Sequence, residues 1–214
     1  MQADGLIPIR IKDKTFEMLM TVYRHALEQV VNELMQIKIS MNEIYGYEVI
    51  NHITSRIKTP ESIMRKMKKK KYEPNYQNLI HNINDIAGVR IICPLKSDIN
   101  TITNIIEQMP NMKVIKTKDY ITKPKQSGYS GYHLIVETPV QVEQKVLPVK
   151  VEIQLRTMAM DFWATNEHKV KYKTDKKISN LDSKKMVIYA RILNFIDTKI
   201  SKLYSKQRKK EIIY

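Results

Sequence analysis

The sequence predicts an α/β fold: a mixed sheet of about five strands flanked by helices, with a helix near each end of the chain. The clearest sign is the stretch 149–173, where two periodicities meet. From Val149 to Arg156, apolar and polar residues alternate without a break, as on a strand with one buried face. From Thr157, which stands in an N-cap position, the apolar spacing becomes helical. Further extended segments and helical patterns alternate along the chain, which is typical of helices packed on a sheet.

The polar face of this strand has two possible uses. It carries Lys150, Glu152, Gln154 and Arg156. A strand at the surface carries such residues simply to stay soluble, and the same residues also suit a binding surface. The strand alone does not decide between these uses.

Composition limits the class of protein. A chain of 214 residues that is 43% hydrophobic can form a packed core, and we expect one domain over 1–214, with a flexible leader at 1–13 and a basic tail at 207–214. The net charge of +15 predicts an anionic partner, without separating nucleic acid, nucleotide and membrane surface. The one cysteine, Cys93, lies in an apolar run, and there is no signal peptide or long apolar run. We therefore expect a cytoplasmic protein that does not enter a membrane.

The first helical pattern is long and amphipathic. Its apolar residues recur at three- and four-residue steps and are Phe16, Leu19, Met20, Tyr23, Leu27, Val30, Val31, Leu34 and Ile37. Such a stripe fits either the core or a second subunit, and we favour the core over dimerisation.

A basic segment follows. Arg56 and Lys58 share one side of an extended segment, and Pro60 marks the start of a helix. From Arg65 to Lys71 all residues but one are basic, which is typical of a solvated helix face or a patch that attracts phosphate. This run therefore predicts attraction of anions but no catalytic role.

A short helix around 78–84 leads to Asp85, a tight turn at Gly88 and a buried strand from Val89 to Cys93. An Asp beside such a strand lies at a sheet end, where ligands bind in α/β folds, although many such residues only cap a turn. Arg90 interrupts the apolar strand and must point away from the core, toward solvent or an anion.

A helix over 97–109 and a strand over 112–120 precede a loop rich in glycine and tyrosine, 127–133, and a strand from Tyr132 to Glu137. Gly128 and Gly131 would let the backbone approach a ligand, nearby lysines would attract phosphate, and exposed tyrosines would offer a face to a base. The loop is neither a Walker A motif nor a dinucleotide fingerprint, and a β-hairpin turn is the alternative.

The last helical pattern spans 180–206. Its apolar residues are Leu181, Val187, Ile188, Ile192, Phe195, Ile196 and Leu203. His25, His52 and His81 have no second ligand at a standard spacing, so we expect no zinc site.

Two carboxylates, Asp85 and Glu152, stand among basic residues at predicted strand boundaries or polar faces. Carboxylates among cations suggest a bridging Mg²⁺ between the protein and substrate phosphates. The sequence therefore predicts phosphoryl or nucleotidyl transfer.

Four segments carry a resemblance to a known family: RIKTPES at 56–62, DIAGVRI at 85–91, SGYSGYH at 127–133 and EIQLRTMAMDFWATNEH at 152–168. Over about 15–205 the chain resembles the RelA/SpoT-type (p)ppGpp synthetases, and closely the stand-alone small alarmone synthetases of bacteria. The resemblance implies a nucleotidyltransferase-like fold, often tetrameric, that transfers pyrophosphate from ATP to the 3′-hydroxyl of GDP or GTP. The products would be AMP and ppGpp or pppGpp.

The resemblance also assigns roles to residues. It implies that Asp85 and Glu152 hold Mg²⁺ and that Glu152 also orients or deprotonates the acceptor hydroxyl. The implied ATP contacts are Arg56 and Arg90, which would sandwich the adenine, and Lys58, Ser62 and Arg65 at the phosphates. The implied acceptor contacts are Lys118, Lys125, Tyr129, His133, Gln154 and Arg156, with Tyr129 stacking on guanine. Trp163, Glu167 and His168 would shape the site.

Some family features are not expected here. The His and Asp ligands of the family's hydrolase domain have no counterpart, so we expect no degradation of the product. Some small synthetases are activated by product bound between subunits. We expect little such activation, because Val31 and Met35 stand where lysines would be needed and Asp161 would repel an anion. Ser130 and Gly131, after the stacking tyrosine, leave the choice of acceptor open.

Two other functions are compatible with the sequence. The first is an RNA-binding domain that uses the basic run 65–71 and the glycine- and tyrosine-rich loop, although it gives Asp85 and Glu152 no role. The second is a related nucleotidyltransferase that transfers AMP instead of pyrophosphate.

Overall fold

A computed structural model of the protein describes residues 7–11, 13–172 and 179–211. Five strands form one mixed sheet in the order β1-β2-β5-β4-β3. The β2–β5 pair is parallel, and the other neighbouring pairs are antiparallel. The strands are β1 His52–Ile57, β2 Ala87–Cys93, β3 Lys113–Asp119, β4 Tyr132–Val142 and β5 Lys145–Thr157. The predicted mixed five-stranded α/β fold is confirmed.

Six helices accompany the sheet in the described residues. They are α1 Lys14–Tyr45, α2 Pro60–Lys70, α3 Tyr76–Asn82, α4 Lys96–Gln108, α5 Met158–Tyr172 and α6 Asn180–Glu211. None of them has both the length and the apolar composition needed to cross a membrane.

The main core lies between α1 and one face of the sheet. Helix α1 contacts β1, β2, β4 and β5. Its buried residues, from Phe16 to Ile37, join a cluster with Val151, Ile153 and Leu155 of β5. The apolar stripe of α1 is thus core, as favoured from the sequence. Because side chains alternate along a strand, the polar residues of β5 lie on the opposite face.

Local signals fix the helix starts beside that opposite face. Pro60 is the first residue of α2, and the Thr59 side chain caps this helix by accepting a hydrogen bond from the Ser62 amide at 3.3 Å. Thr157 does the same for α5, accepting from the Met160 amide at 3.3 Å. The helix start at Pro60 and the cap at Thr157 match the sequence prediction, whereas the cap at Thr59 was not predicted.

The structure differs from the prediction in several details. Gly88 is not in a tight turn but inside β2, paired with Arg56 on one side and Glu152 on the other. Within the predicted leader, the Ile9 amide donates a hydrogen bond to the Pro74 carbonyl at 2.8 Å; residues 1–6 and 12 lie outside the described residues. Helix α6 continues through 207–211 of the predicted tail.

Helix α6 is anchored at one side and exposed at the other. The Asp197 carboxylate accepts a hydrogen bond from Thr157 Oγ1 at 2.9 Å, and Lys96 Nζ lies 3.7 Å from it. Burial raises the pKa of Asp197, against the opposing effect of Thr157. The other side of α6 presents apolar side chains to solvent at Leu181, Ile188, Ile192, Phe195, Ile196, Ile200 and Leu203.

Candidate active site

Two adjoining cavities lie on the polar face of the sheet. The first has a volume of about 160 Å³, and both Asp85 and Glu152 line it. The second has a volume of about 710 Å³ and extends toward the 127–129 loop and α5. Arg56, Arg90 and Gln154 line both. The two cavities therefore share a wall of cationic and amide side chains, which suits two anionic molecules bound next to each other.

Asp85 lies between two lysines. Its Oδ2 is 2.9 Å from Lys58 Nζ and its Oδ1 is 2.7 Å from Lys66 Nζ. Burial alone would raise the pKa of Asp85, but the hydrogen bonds and charges of the two lysines outweigh it and the pKa is lowered. Asp85 is therefore an ionised carboxylate with a lysine at each of its two oxygens.

Lys66 is a site residue that the sequence analysis missed. It was assigned to a run that only attracts anions, yet its side chain contacts Asp85 directly. The available signal was its spacing, because Ser62 and Lys66 are one helical turn apart and so share a helix face.

Glu152 is buried and held by its neighbours. Its Oε1 lies 3.2 Å from Nδ1 of His133, and its Oε2 accepts a hydrogen bond from Gln154 Nε2 at 2.8 Å. Burial opposes ionisation, but the hydrogen bond and charge of His133, together with Gln154, lower the pKa of Glu152 to about 2. The polar face of β5 is thus not a solvated strand face, since Glu152 and Arg156 are only 7% and 6% exposed.

The carboxylate pair fits a magnesium ion. Asp85 and Glu152 border the smaller cavity, and Gly88, opposite Glu152 in the sheet, places no side chain there. Mg²⁺ in phosphate-transfer sites typically takes one or two carboxylates and completes its shell with water and substrate phosphates. Across the described ranges, no cluster of three or more His, Cys, Asp or Glu forms a metal site. The donor set thus suits an ion that the substrate helps to bind.

Three arginines lie on this face of neighbouring strands: Arg56 on β1, Arg90 on β2 and Arg156 on β5. Burial and the charges of Arg156 and Arg56 lower the pKa of Arg90, while Asp161 opposes this. Asp161 Oδ1 is 3.3 Å from Arg90 Nη1 and 2.8 Å from Arg156 Nη1. From the sequence, Asp161 is expected to repel a regulatory anion; the structure places it within this arginine cluster.

The residues predicted to contact the acceptor in and after the glycine- and tyrosine-rich loop are hydrogen-bonded to each other and to β5. Tyr129 is buried, and its hydroxyl lies 2.6 Å from Nε2 of His133 and accepts a hydrogen bond from Arg156 Nη2 at 3.0 Å. Lys125 Nζ lies 4.8 Å from the centre of the Tyr129 ring. The expectation of an exposed face is wrong for Tyr129. Both ring nitrogens of His133 already have protein partners, so a nucleotide contact would have to replace one of them.

Gly128 has a packing role that was not predicted. Its φ is +85°, and an added Cβ would collide with the Cβ of Ala190 on α6 and contact the Trp163 ring at 3.6 Å. Gly128 thus lets the loop pack against α5 and α6. This packing, and not the expected close approach to a ligand, explains the glycine at this position. Trp163 is buried in this packing, whereas Glu167 and His168 line the larger cavity.

The remaining predicted residues lie around the cavities. Arg65 Nη2 donates to Ser62 Oγ at 3.0 Å on α2, and neither residue lines the two cavities. Lys118 pairs with His133 across β3 and β4. Burial raises the pKa of Glu152, and the charge of Lys118 adds to the larger lowering effects of His133 and Gln154. The fold therefore gathers most of the predicted set on one face and leaves Ser62 and Arg65 at its edge.

Comparison with known proteins is consistent with this geometry. A family model described as a region found in RelA / SpoT proteins matches residues 55–177. The GTP pyrophosphokinase YwaC of Bacillus subtilis is 40% identical over 179 residues, which cover 84% of this chain and 85% of that protein.

Solved structures are similar over nearly the whole chain. The small alarmone synthetase 1 from Bacillus subtilis, bound to its product pppGpp, superposes with a TM-score of 0.82 at 32% identity, covering 91% of this chain and 98% of the other. The small alarmone synthetase 2 from the same organism gives a TM-score of 0.80 at 37% identity, with coverage of 90% and 100%.

Proposed function

The chain belongs to the RelA/SpoT family, and from this premise we propose that it transfers pyrophosphate from ATP to the 3′-hydroxyl of GDP or GTP. The products are AMP and ppGpp or pppGpp. The observation that carries the proposal is the pair of adjoining cavities, with two carboxylates in one and a shared wall of Arg56, Arg90 and Gln154. The relatives named as GTP pyrophosphokinases and the relative bound to pppGpp support it.

ATP occupies the donor side. Arg56 and Arg90, on neighbouring strands, hold the adenine between planar guanidinium groups, which suits stacking. Lys58 and Lys66 stand beside Asp85, where they can exchange the carboxylate for phosphate oxygens. Ser62 and Arg65, at the edge of the face, extend the phosphate site. These groups bring the β-phosphorus of ATP next to the carboxylate pair.

GDP or GTP occupies the larger cavity. Tyr129 stacks on guanine once its ring is uncovered, while Lys118, Lys125 and His133 contact the phosphates and ribose. Gln154 and Arg156 complete the wall of this cavity. In this proposal the 3′-hydroxyl of the acceptor lies beside Glu152, whose Oε2 accepts a hydrogen bond from Gln154 of that wall at 2.8 Å.

The reaction is an in-line displacement at the β-phosphorus of ATP. Glu152 orients the 3′-hydroxyl of the acceptor and takes its proton as the new oxygen–phosphorus bond forms. The bond between the β-phosphorus and the oxygen that bridges to the α-phosphorus breaks, and AMP leaves. Mg²⁺, held by Asp85 and Glu152, would neutralise charge on the phosphates. Catalysis consists mainly of positioning and charge stabilisation.

Product analysis tests the proposal. The protein is incubated with Mg²⁺, ATP and GDP, and the nucleotides are separated by ion-exchange chromatography. We expect ppGpp and AMP with the wild type and neither with Asp85→Ala. Absence of product with the wild type, or equal product with the variant, would refute the proposal. AMP joined to the acceptor would indicate the nucleotidyltransferase instead, and salt-dependent RNA binding without turnover would indicate the RNA-binding domain.

We also propose that the protein forms a homotetramer in which the subunits contact each other through α6. The exposed apolar residues of α6, including Ile188, Ile192, Phe195 and Ile196, recur at three- and four-residue steps along one helix. A stripe with this spacing suits pairing with a second helix, and a monomer rarely exposes so much apolar surface. A cytoplasmic location belongs to the same proposal and is supported by Cys93, which is buried as a free thiol.

A further inference from the structure

Asp161 joins two strands of the candidate site without lining either cavity. It lies in the first turn of α5, and its side chain is 24% exposed. One oxygen, Oδ1, contacts Arg90 of β2 at 3.3 Å and Arg156 of β5 at 2.8 Å. A single carboxylate therefore bridges two guanidinium groups that belong to neighbouring strands.

The two arginines face different parts of the site. Arg90 lines both cavities, including the one that holds the carboxylate pair. Arg156 lines only the larger of the two, and its Nη2 donates to Gln154 Oε1 at 2.9 Å and to the Tyr129 hydroxyl at 3.0 Å. Asp161 is thus linked through one arginine to the donor side and through the other to the acceptor loop.

Like charges this close repel each other unless a carboxylate lies between them. Burial and the charges of Arg156 and Arg56 lower the pKa of Arg90, and the charge of Asp161 raises it. The ε-nitrogens of Arg90 and Arg156 are buried and have no hydrogen-bond partner within the described part of the chain. The contact with Asp161 is therefore a main constraint on the orientation of Arg90.

We propose that Asp161 is a positioning residue for both nucleotides, acting through Arg90 on bound ATP and through Arg156 on bound GDP or GTP. This inference rests on the proposed function, because it takes the two cavities as the donor and acceptor sites. It assigns to α5 the task of holding the donor and acceptor arginines in one arrangement.

The direction in which nucleotide affinity changes when Asp161 loses its charge distinguishes a positioning role from simple electrostatic repulsion. If Asp161 only contributed negative charge near the anionic ligands, it would repel them, and removal of its charge would strengthen nucleotide binding. A carboxylate that holds two arginines in place has the opposite effect, because its removal leaves the guanidinium groups free to move apart. Asp161→Asn keeps the size of the side chain and removes only the charge.

Calorimetric titration of the full-length protein tests the proposal, with the non-hydrolysable analogue α,β-methylene ATP and with GDP, each titrated alone. We expect Asp161→Asn to weaken both by about tenfold, as for the loss of a hydrogen bond to a charged group. Asp161→Glu, which restores the charge on a longer side chain, should recover part of the affinity. The matched control is Glu48→Gln, an exposed carboxylate 3.9 Å from Lys38, which should bind both ligands as the wild type does.

Affinity for either ligand that is unchanged or increased in Asp161→Asn would overturn the proposal. If that variant does not fold, Asp161→Glu serves as the test. Displacement of its carboxylate should lower the affinity for both ligands while the melting temperature stays unchanged. Unchanged affinity in Asp161→Glu would again overturn the proposal. In turnover assays, Asp161→Asn should raise both KM values more than it lowers kcat. A wild type that binds both nucleotides but makes no ppGpp would refute the proposed function and leave the binding test of Asp161 intact.

Discussion

The Nζ of Lys66 lies 2.7 Å from Oδ1 of Asp85, and Lys66 stands near the start of the basic run 65–71, which could have been solvated throughout. Lys58 holds the other oxygen of the same carboxylate. Two ammonium groups thus occupy the carboxylate that the proposed mechanism needs for Mg²⁺. When ATP and the metal bind, at least one lysine must exchange Asp85 for a phosphate, which the flexible side chain of lysine allows.

We predict that Lys66→Gln lowers kcat/KM for ATP by about tenfold, as expected when a charge-assisted contact to phosphate is lost. The same change should lower the Mg²⁺ concentration needed for half-maximal rate, because a competing cation has been removed from Asp85. Both values come from steady-state kinetics. The matched control is Lys70→Gln, which replaces an exposed lysine of the same helix and should change neither value. If the two variants behave alike, Lys66 only adds to the general positive charge.

The buried position of Tyr129 predicts a difference between two substitutions. Tyr129→Phe keeps the ring that would stack on guanine and removes the hydroxyl that contacts His133 and Arg156. Tyr129→Ala removes both. Base stacking is worth about 1–3 kcal/mol, so Ala should raise KM for GDP by about tenfold or more and Phe should raise it much less. Equal KM values for the two variants would show that the ring does not contact the acceptor.

Gly128 and Gly46 form a matched pair for a test of packing. Both have positive φ, at +85° and +67°, but only Gly128 has a neighbour that an added Cβ would strike, the Cβ of Ala190. Gly46→Ala should cost about 1 kcal/mol of unfolding free energy from backbone strain alone. Gly128→Ala should cost at least about 2 kcal/mol, because it adds overpacking to the same strain. Urea denaturation measures both, and equal losses would contradict the packing of the loop on α6.

The elements of the fold could be predicted because each depends on residues close together in the sequence. Alternation along 149–156 predicted β5, and Pro60 and Thr157 predicted the starts of α2 and α5. The motif residues Asp85, Arg90 and Glu152 could be named as site residues from their local motifs, whereas the pairing of β2 with β5 that brings Arg90 and Glu152 to one face was seen only in the structure.

The missed features depend on how distant segments pack. Lys66 meets Asp85 because α2 lies beside the residues that precede β2; the spacing of Lys66 from Ser62 indicates a shared helix face but does not identify Asp85 as the partner. Gly128 is explained by Ala190, which belongs to the last helix. Tyr129 was expected to be exposed because aromatic loop residues often bind bases, but its hydroxyl finds two buried partners from β4 and β5. Tertiary contacts of this kind cannot be derived from spacing along the chain.

The exposed stripe of α6 predicts an assembly that depends on apolar contact. Light scattering after size exclusion should give a mass above the 25.2 kDa of one chain, and that of a tetramer if the proposal is right. Replacement of both Ile192 and Phe195 by Lys should lower the mass, because charged side chains cannot be buried in such an interface. Lys202→Gln, at an exposed polar position of the same helix, is the control and should leave the mass unchanged. A wild-type mass of one chain, or an unchanged mass in the double variant, would contradict the proposal.

The central claim is that Glu152 assists transfer of an intact pyrophosphate group from ATP. The most direct measurement follows ATP labelled at the β-phosphate in the presence of Mg²⁺ and GDP. We expect the label to move to the guanosine nucleotide, with one labelled group transferred for each AMP formed, and Glu152→Gln to slow this transfer by at least about a hundredfold, as for the loss of a general base. Label recovered as free pyrophosphate with AMP joined to the acceptor, or transfer at an undiminished rate in Glu152→Gln, would contradict it.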